Sequence, residues 1–194
     1  MDCIKTGRLI ARLRKEKGLT QKNIADSLGI SSKTVSKWET GLGFPDLSLW
    51  PDLSTILGAE ISQLMEGEIV PNKPDNGNML KVKFYVCPDC GNILFSTGSA
   101  SVFCCGKKLE ALQVSGSTIN FNAELSDTEY YITLDHEMTK EHYISFAALV
   151  KSDRVYMLRL YPEQNPSFRL PAIKGARLFL YCVKHGLMQF NKIM

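Results

Sequence analysis

The chain has 194 residues, 44% of them apolar and 22% charged, with a net charge of +3 and six cysteines. These are ordinary globular values, enough for one large domain or two small ones. No stretch approaches the roughly eighteen consecutive apolar residues of a membrane span. The first residues, "MDCIKTGRLIARLRKEKG", are charged and periodic, unlike a signal peptide. The expectation is a cytoplasmic chain, where thiols stay reduced and clustered cysteines read as metal ligands or redox groups before disulfides.

Charge is unevenly placed. Residues 1–45 hold nine Lys/Arg against four acids, a local charge of +5, which leaves −2 for the rest. A basic end suggests a polyanionic partner, with a solvated helix face as the plainer alternative. Residues 4–66 read as short helices. Apolar residues recur at three-to-four spacing at Ile4, Leu9, Ile10 and Leu13, then Ile24, Ala25 and Leu28, then Val35 and Trp38. Gly18 ends the first helix; Thr20 caps the second and Gly29 ends it; Ser31 caps the third and Gly41 ends that. "FPDLSLWPDLSTILG" and "EISQLMEG" supply two more apolar-striped segments, with Pro51 placed in the first turn of a restarted helix.

Residues 68–80 are rich in Pro, Gly and Asn and read as a linker. Beyond Lys81 the period changes to alternation, in "KVKFYV", "YYITL", "YISFAALV", "RVYMLRLY" and "ARLFLYCV", broken by turns. That pattern predicts an antiparallel β-sandwich or barrel.

In "LTQKNIADSLGISSKTVSKWETG", a helix, a tight turn at Gly29 and a second helix follow in succession. The second helix turns Val35 and Trp38 inward and Ser32, Lys33, Ser36 and Lys37 outward. A short helix with one hydrogen-bonding, cationic face is what major-groove readout needs. This stretch closely resembles the phage-repressor-type helix-turn-helix family over residues 6–66. The resemblance implies that Gln21 grips a phosphate, that Ser32, Lys33 and Lys37 face bases, and that Arg14 pairs with Glu39. It implies double-stranded DNA as partner and a homodimer on paired half-sites.

"CPDCGNILFSTGSASVFCCG", residues 87–106, holds four of the six cysteines. Cys87-Pro-Asp-Cys90-Gly is a metal knuckle, and Cys104 and Cys105 supply a second pair. Four thiolates suit iron or zinc in tetrahedral geometry. Neighbouring side chains on an extended strand point to opposite faces, so Cys104 and Cys105 share an ion only if the backbone kinks. The cysteine arrangement resembles desulforedoxin, the small iron-binding module that begins many superoxide reductases.

The chain has three histidines, His136, His142 and His185. The phrases "LDHEMTKEHYISF" and "YCVKHGL" around them resemble the iron-binding segments of superoxide reductase (desulfoferrodoxin). Together with the knot, the resemblance spans about residues 80–192. It implies an immunoglobulin-like, seven-stranded sandwich, with His136, His142 and His185 as imidazole ligands and Cys182 as the thiolate ligand of an iron (or zinc) site. The family uses a fourth histidine beside a lysine that attracts the anionic substrate. This chain has neither, and the interval from Cys105 to His136 is shorter than the family's. Such a site is four-coordinate with zinc, takes water or a carboxylate such as Glu137, or stays empty.

The expected architecture is therefore an all-α helix-turn-helix bundle (1–67), a linker (68–80), a small four-cysteine metal knot (81–108) and an antiparallel immunoglobulin-like β-sandwich (109–194). The expected function is a sequence-specific transcriptional regulator with a metal-binding, redox- or metal-sensing C-terminal domain. The alternatives are an active superoxide reductase carrying a DNA-binding head, and a zinc-stabilised interaction module without redox role.

Overall fold

The computed structural model describes residues 2–75, 77–191 and 193. The chain divides into two compact units, Met1–Pro71 and Asn72–Met194.

The first unit is helical: α1 (Cys3–Glu16), α2 (Gln21–Leu28), α3 (Ser32–Glu39), α4 (Trp50–Leu57) and α5 (Ile61–Glu66), with a 3-10 turn at Leu47–Leu49. Local chemistry sets the boundaries. The Asp2 carboxylate accepts from the N–H groups of Ile4 and Lys5, Thr20 and Asn23 form a reciprocal capping box, and Ser31 accepts from Thr34. Gly29 ends α2 at φ 66°, a left-handed conformation in which a side chain would be strained. Pro51 sits in the first turn of α4, where its missing N–H removes no bond. The core is Leu9, Ile10 and Leu13 with Ile24, Ala25, Val35, Trp38, Trp50, Leu53, Leu57 and Leu64. At the α1–α3 crossing only glycine fits: a Cβ on Gly7 would lie 2.0 Å from the Trp38 carbonyl oxygen. Ile4, expected on the buried stripe, is 53% exposed. It is rotated off the Leu9–Leu13 line and rests beside Gly41.

The second unit contains β1 (Lys83–Val86), β2 (Ile93–Ser96), β3 (Val102–Cys104), β4 (Lys107–Leu109), β5 (Phe121–Ser126), β6 (Glu129–Leu134), β7 (Ile144–Lys151), β8 (Arg154–Arg159), β9 (Ser167–Pro171), β10 (Arg177–Cys182) and β11 (Gly186–Phe190). A four-stranded sheet, β11-β10-β7-β8, faces a three-stranded sheet, β5-β6-β9, with every pairing antiparallel. Their inner faces meet through Ile132, Leu134, Ile144, Ala147, Leu149, Phe168, Leu170, Leu178 and Leu180. This is the expected seven-stranded sandwich. Strands β5 and β9, in "FNAELS" and "SFRL", also alternate, and with β11 they complete the two sheets.

Strand β7 is buried from Ile144 through Val150 because both of its faces are covered. The inner face meets the opposite sheet. The outer face carries Phe146, Ala148 and Val150, which pack with Phe179 and with Phe84 of β1. Phe84 lies 5.3 Å from Phe146 and 5.5 Å from Phe179, ring to ring. The two cysteine-bearing hairpins, β1-β2 and β3-β4, therefore fold with the sandwich in one unit. The stretch expected as linker is also divided. Residues 72–81 go with the second unit: Met79 donates its N–H to the Ser152 carbonyl at 3.0 Å, and Met79 and Leu80 pack against the outer face. Their apolar side chains explain why this end does not hang free. Among the described residues no helix is long and apolar enough to cross a membrane.

Candidate metal centres and nucleic-acid interface

On α3, Ser32, Lys33 and Lys37 are exposed, Ser36 is half-buried, and Val35 and Trp38 are buried. The polar face is thus held outward by the apolar one. Its inner end is anchored by an ion pair: Arg14 donates from Nε to Glu39 Oε1 at 2.5 Å and from Nη2 to Oε2 at 3.0 Å. Arg14 Nη1 also donates to the Leu19 carbonyl at 2.7 Å, which fixes the turn between α1 and α2. Burial opposes charge on Glu39, but the hydrogen bonds from Arg14 and Gln21 prevail and hold its carboxyl below the usual range. Gln21, the first residue of α2, gives its amide N–H to Glu39 Oε2 at 2.8 Å. That bond orients the amide and leaves a second N–H for another acceptor.

The four cysteines of residues 87–106 converge: the Sγ atoms of Cys87, Cys90, Cys104 and Cys105 lie within 4.8 Å of one another. The first pair is set by the knuckle between β1 and β2, closed by bonds from Gly91 N–H to the Cys87 carbonyl and from Cys87 N–H to the Asn92 carbonyl, both 2.9 Å. The second pair resolves the problem of adjacency. Cys104 ends β3 and Lys107 begins β4, paired across a two-residue turn. Both turn residues have positive φ, 50° at Cys105 and 75° at Gly106, as type I′ hairpin turns require. The left-handed backbone at Cys105 brings its thiol to the same side as that of Cys104. A non-glycine residue held there is strained by about 1–3 kcal/mol, a conformation that persists where surroundings impose it.

Thiol electrostatics fit a cation. Hydrogen bonds from the backbone N–H groups of Cys90 and Asp89 lower the Cys87 thiol to about 7, the Cys90 bond contributing most. Hydrogen bonding among the thiols, from Cys90 first and then Cys87 and Cys104, pushes Cys105 up to about 12. Four crowded thiols cannot all ionise unaided; an ion at their centre would remove that obstacle.

The second cluster gathers His136, His142, Cys182 and His185, one donor atom of each within 4.8 Å of the others. The three imidazole rings stand edge to face, with centroids 4.6–5.3 Å apart. His136 and His142 flank a tight turn, with Thr139 and His142 bonded to each other through their backbones. Cys182 and His185 sit where β10 turns into β11. A β-bulge lies at this spot: Tyr181 pairs with Phe146, but Cys182 pairs with Ile144, so Ser145 is the extra residue. The Cys182 side chain is fully buried, and its Sγ accepts the Lys184 N–H at 3.4 Å.

The outward nitrogens are occupied. His136 Nδ1 meets the Glu137 carbonyl oxygen at 2.5 Å and His142 Nδ1 meets the Glu137 carboxylate at 3.0 Å. Glu137, considered above as an added ligand, instead backs His142. This turns His136 Nε2 and His142 Nε2 inward, where His136 Nε2 comes within 3.3 Å of His185 Nδ1. His142 Nε2 is buried without any hydrogen-bond partner. Burial, aided by the neighbouring imidazoles, holds the His136 pKa below its usual value. An orphaned imidazole nitrogen beside two further imidazoles and a buried thiol fits a metal ion. Sequence reasoning missed the role of Glu137 and the bulge. The position of Glu137, directly after one matched histidine and five before the next, was the available signal for the former.

Residues 10–64 match the family model "Helix-turn-helix". The chain is 30% identical over 80 residues to the HTH-type transcriptional activator BcrR of Enterococcus faecalis, covering 40% of this chain and 39% of that protein. It is 26% identical over 117 residues to a desulfoferrodoxin of Clostridium acetobutylicum, covering 55% of this chain and 93% of that protein. The superoxide reductase structure from Treponema pallidum aligns with 56% of this chain and 96% of its own, at 18% identity and TM-score 0.49. The chain spans well under half the length of the curated activator and nearly all of the desulfoferrodoxin. It thus joins an N-terminal helix-turn-helix domain, of the kind that binds DNA, to a C-terminal part that matches desulfoferrodoxins along nearly their full length.

Proposed function

We propose that the chain is a sequence-specific, DNA-binding transcriptional regulator whose second unit binds metal at two centres and senses metal supply or oxidants. In this reading Ser32, Lys33, Ser36 and Lys37 meet base edges and phosphates, and Gln21 meets a phosphate. The chain acts as a homodimer on paired half-sites. Cys87, Cys90, Cys104 and Cys105 hold iron or zinc as a structural centre. His136, His142, Cys182 and His185 hold iron, or zinc, at the edge of the sandwich. Iron bound at the second centre would supply one-electron chemistry, and the buried Cys182 thiolate would be its most electron-rich ligand. Glu137 orients the His142 ring, and the Lys184 N–H supports the Cys182 sulfur.

One observation carries the proposal. The helix-turn-helix face is complete, with its caps and its Arg14–Glu39 anchor in place, whereas the His/Cys cluster contains every histidine in the chain and is still one imidazole short of the superoxide reductase set. A sensor tolerates slow chemistry at an incomplete site, and loss or oxidation of its ion shifts the population of the DNA-competent form. The test is the affinity of the full chain for DNA fragments enriched from a random library. It is measured metal-loaded, after chelation and after oxidant. A change of tenfold or more on either treatment supports sensing, and equal affinity throughout contradicts it. Superoxide reduction is the second reading, favoured by the convergence of the three imidazoles on Cys182. Stopped-flow superoxide decay well above the uncatalysed rate, with iron-loaded protein, would establish it.

A further inference from the structure

Among the four thiols of the knot, one close pair joins the two hairpins. Cys90 Sγ and Cys104 Sγ are 3.5 Å from each other, close to the roughly 3.8 Å edge expected for two thiolates on one tetrahedral zinc. They belong to different hairpins, Cys90 to the knuckle after β1 and Cys104 to the end of β3. Cys90 and Cys105 are exposed, Cys104 is half-buried and Cys87 is buried. Cys104 and Cys105 cannot readily pair with each other. Adjacent Cα atoms are about 3.8 Å apart, less than the ~4.4 Å a disulfide ordinarily spans. Cys90 is thus a solvent-accessible thiol with a resolving partner already at its side.

We propose that Cys90 and Cys104 form a reversible disulfide when the knot meets a hydroperoxide, and that this crosslink ejects the metal ion. Cys90 sulfur attacks the peroxide, the O–O bond breaks, and a sulfenic acid forms at Cys90 with release of water. Cys104 sulfur then displaces the hydroxyl from Cys90 sulfur as a second water. The two metal-bound thiolates lose two electrons, hydrogen peroxide gains them, and two protons taken from solvent complete the two waters. The ion keeps only Cys87 and Cys105, too few to hold it. The crosslink ties together two hairpins that share the small core of Tyr85, Cys87 and Leu109, so the oxidised knot stays closed after the metal has left. This inference rests on reading the knot as a metal site, and it places the oxidant-responsive group there rather than at the histidines.

The experiment uses zinc-loaded full chain carrying Cys3→Ser, which removes a thiol from the helical unit. Zinc is counted first. The protein is then treated with hydrogen peroxide, blocked with N-ethylmaleimide, digested and mapped by mass spectrometry while a chromophoric chelator reports released zinc. The expected result is a dominant Cys90–Cys104 crosslink, matched by zinc release, with both reversed by dithiothreitol and added zinc. Cys90→Ser in the same background abolishes the crosslink. A dominant Cys87–Cys90 crosslink, or sulfinic acids with zinc loss and no crosslink, overturns the proposal. If Cys90→Ser fails to fold, the unmodified chain's crosslink map decides alone. A chain that holds no zinc yet joins Cys90 to Cys104 refutes the metal reading and keeps the thiol pair.

Discussion

The two ligand clusters of the second unit are built in contrasting ways. The cysteine knot takes its donors from two hairpin loops within residues 87–105, and two of its four thiols are exposed. The histidine cluster takes its donors from a turn ahead of β7 and from the β10–β11 corner, and its cysteine is fully buried in the sandwich. The knot is local and has only the small core of Tyr85, Cys87 and Leu109, whereas the histidine cluster is hung on a sandwich with a large apolar core of its own. On this contrast, metal at the knot supports folding until Cys90 and Cys104 are oxidised, whereas metal at the sandwich edge can leave without unfolding the sandwich.

Variants at each cluster sharpen that contrast. The largest effect is expected from Cys104→Ser. Structural zinc sites contribute on the order of 10 kcal/mol to folding of the segment that holds them, so this variant should lose one metal ion per chain and melt the hairpins at lower temperature than the sandwich. Calorimetry that shows an unchanged transition would refute the knot's structural role. Arg14→Ala comes next. The Arg14 and Glu39 side chains are only 11% and 8% exposed, and removal of one partner of a buried pair costs about 3–5 kcal/mol. The sign with pH is fixed. Glu39 ionises below its ordinary value of 4.5 in the folded chain, so its contribution is whole above that pH and fades as pH falls through the folded value. Chemical denaturation should therefore find wild type and variant well separated near neutrality and converging in acid.

At the histidine cluster a smaller change is expected. Glu137→Gln keeps the size of the side chain but removes the carboxylate that faces His142 Nδ1. Metal affinity should fall about 10- to 100-fold, with the melting of the sandwich unchanged. The smallest effects belong to the recognition helix. Lys33→Ala and Lys37→Ala should each weaken cognate DNA binding by about 1–3 kcal/mol if they reach base edges. Equal loss on all sequences, with a shallower salt dependence, would assign them to phosphates alone.

The helical unit was legible because its signals are local. Thr20, Ser31 and Gly29 act within their own turns, and the Val35/Trp38 face follows from helical spacing. The members of both ligand clusters were legible from spacing and resemblance, since each cysteine or histidine carries its own donor. Their geometry was not. Cys104 and Cys105 can turn their thiols toward one centre because Cys105 and Gly106 together form a hairpin turn, and that is known only once β3 and β4 are seen to pair. The bulge at Ser145 depends on the register between β7 and β10. Phe84 looks like any strand residue until the outer face of β7 is found to need a cover. The bulge and the cover over β7 are long-range facts that no window of sequence contains.

The central claim is that two separate ligand sets each hold an ion. It is tested most directly by metal analysis of full chain purified without oxygen, alongside Cys104→Ser and Cys182→Ser. The account predicts two transition-metal ions per chain in the wild type, one for each cluster, and one in each variant. In Cys182→Ser, the thiolate-to-metal absorption of the His/Cys centre should vanish while that of the knot remains. A wild type with a single ion that Cys182→Ser leaves untouched would contradict the second centre. A wild type with none would contradict both.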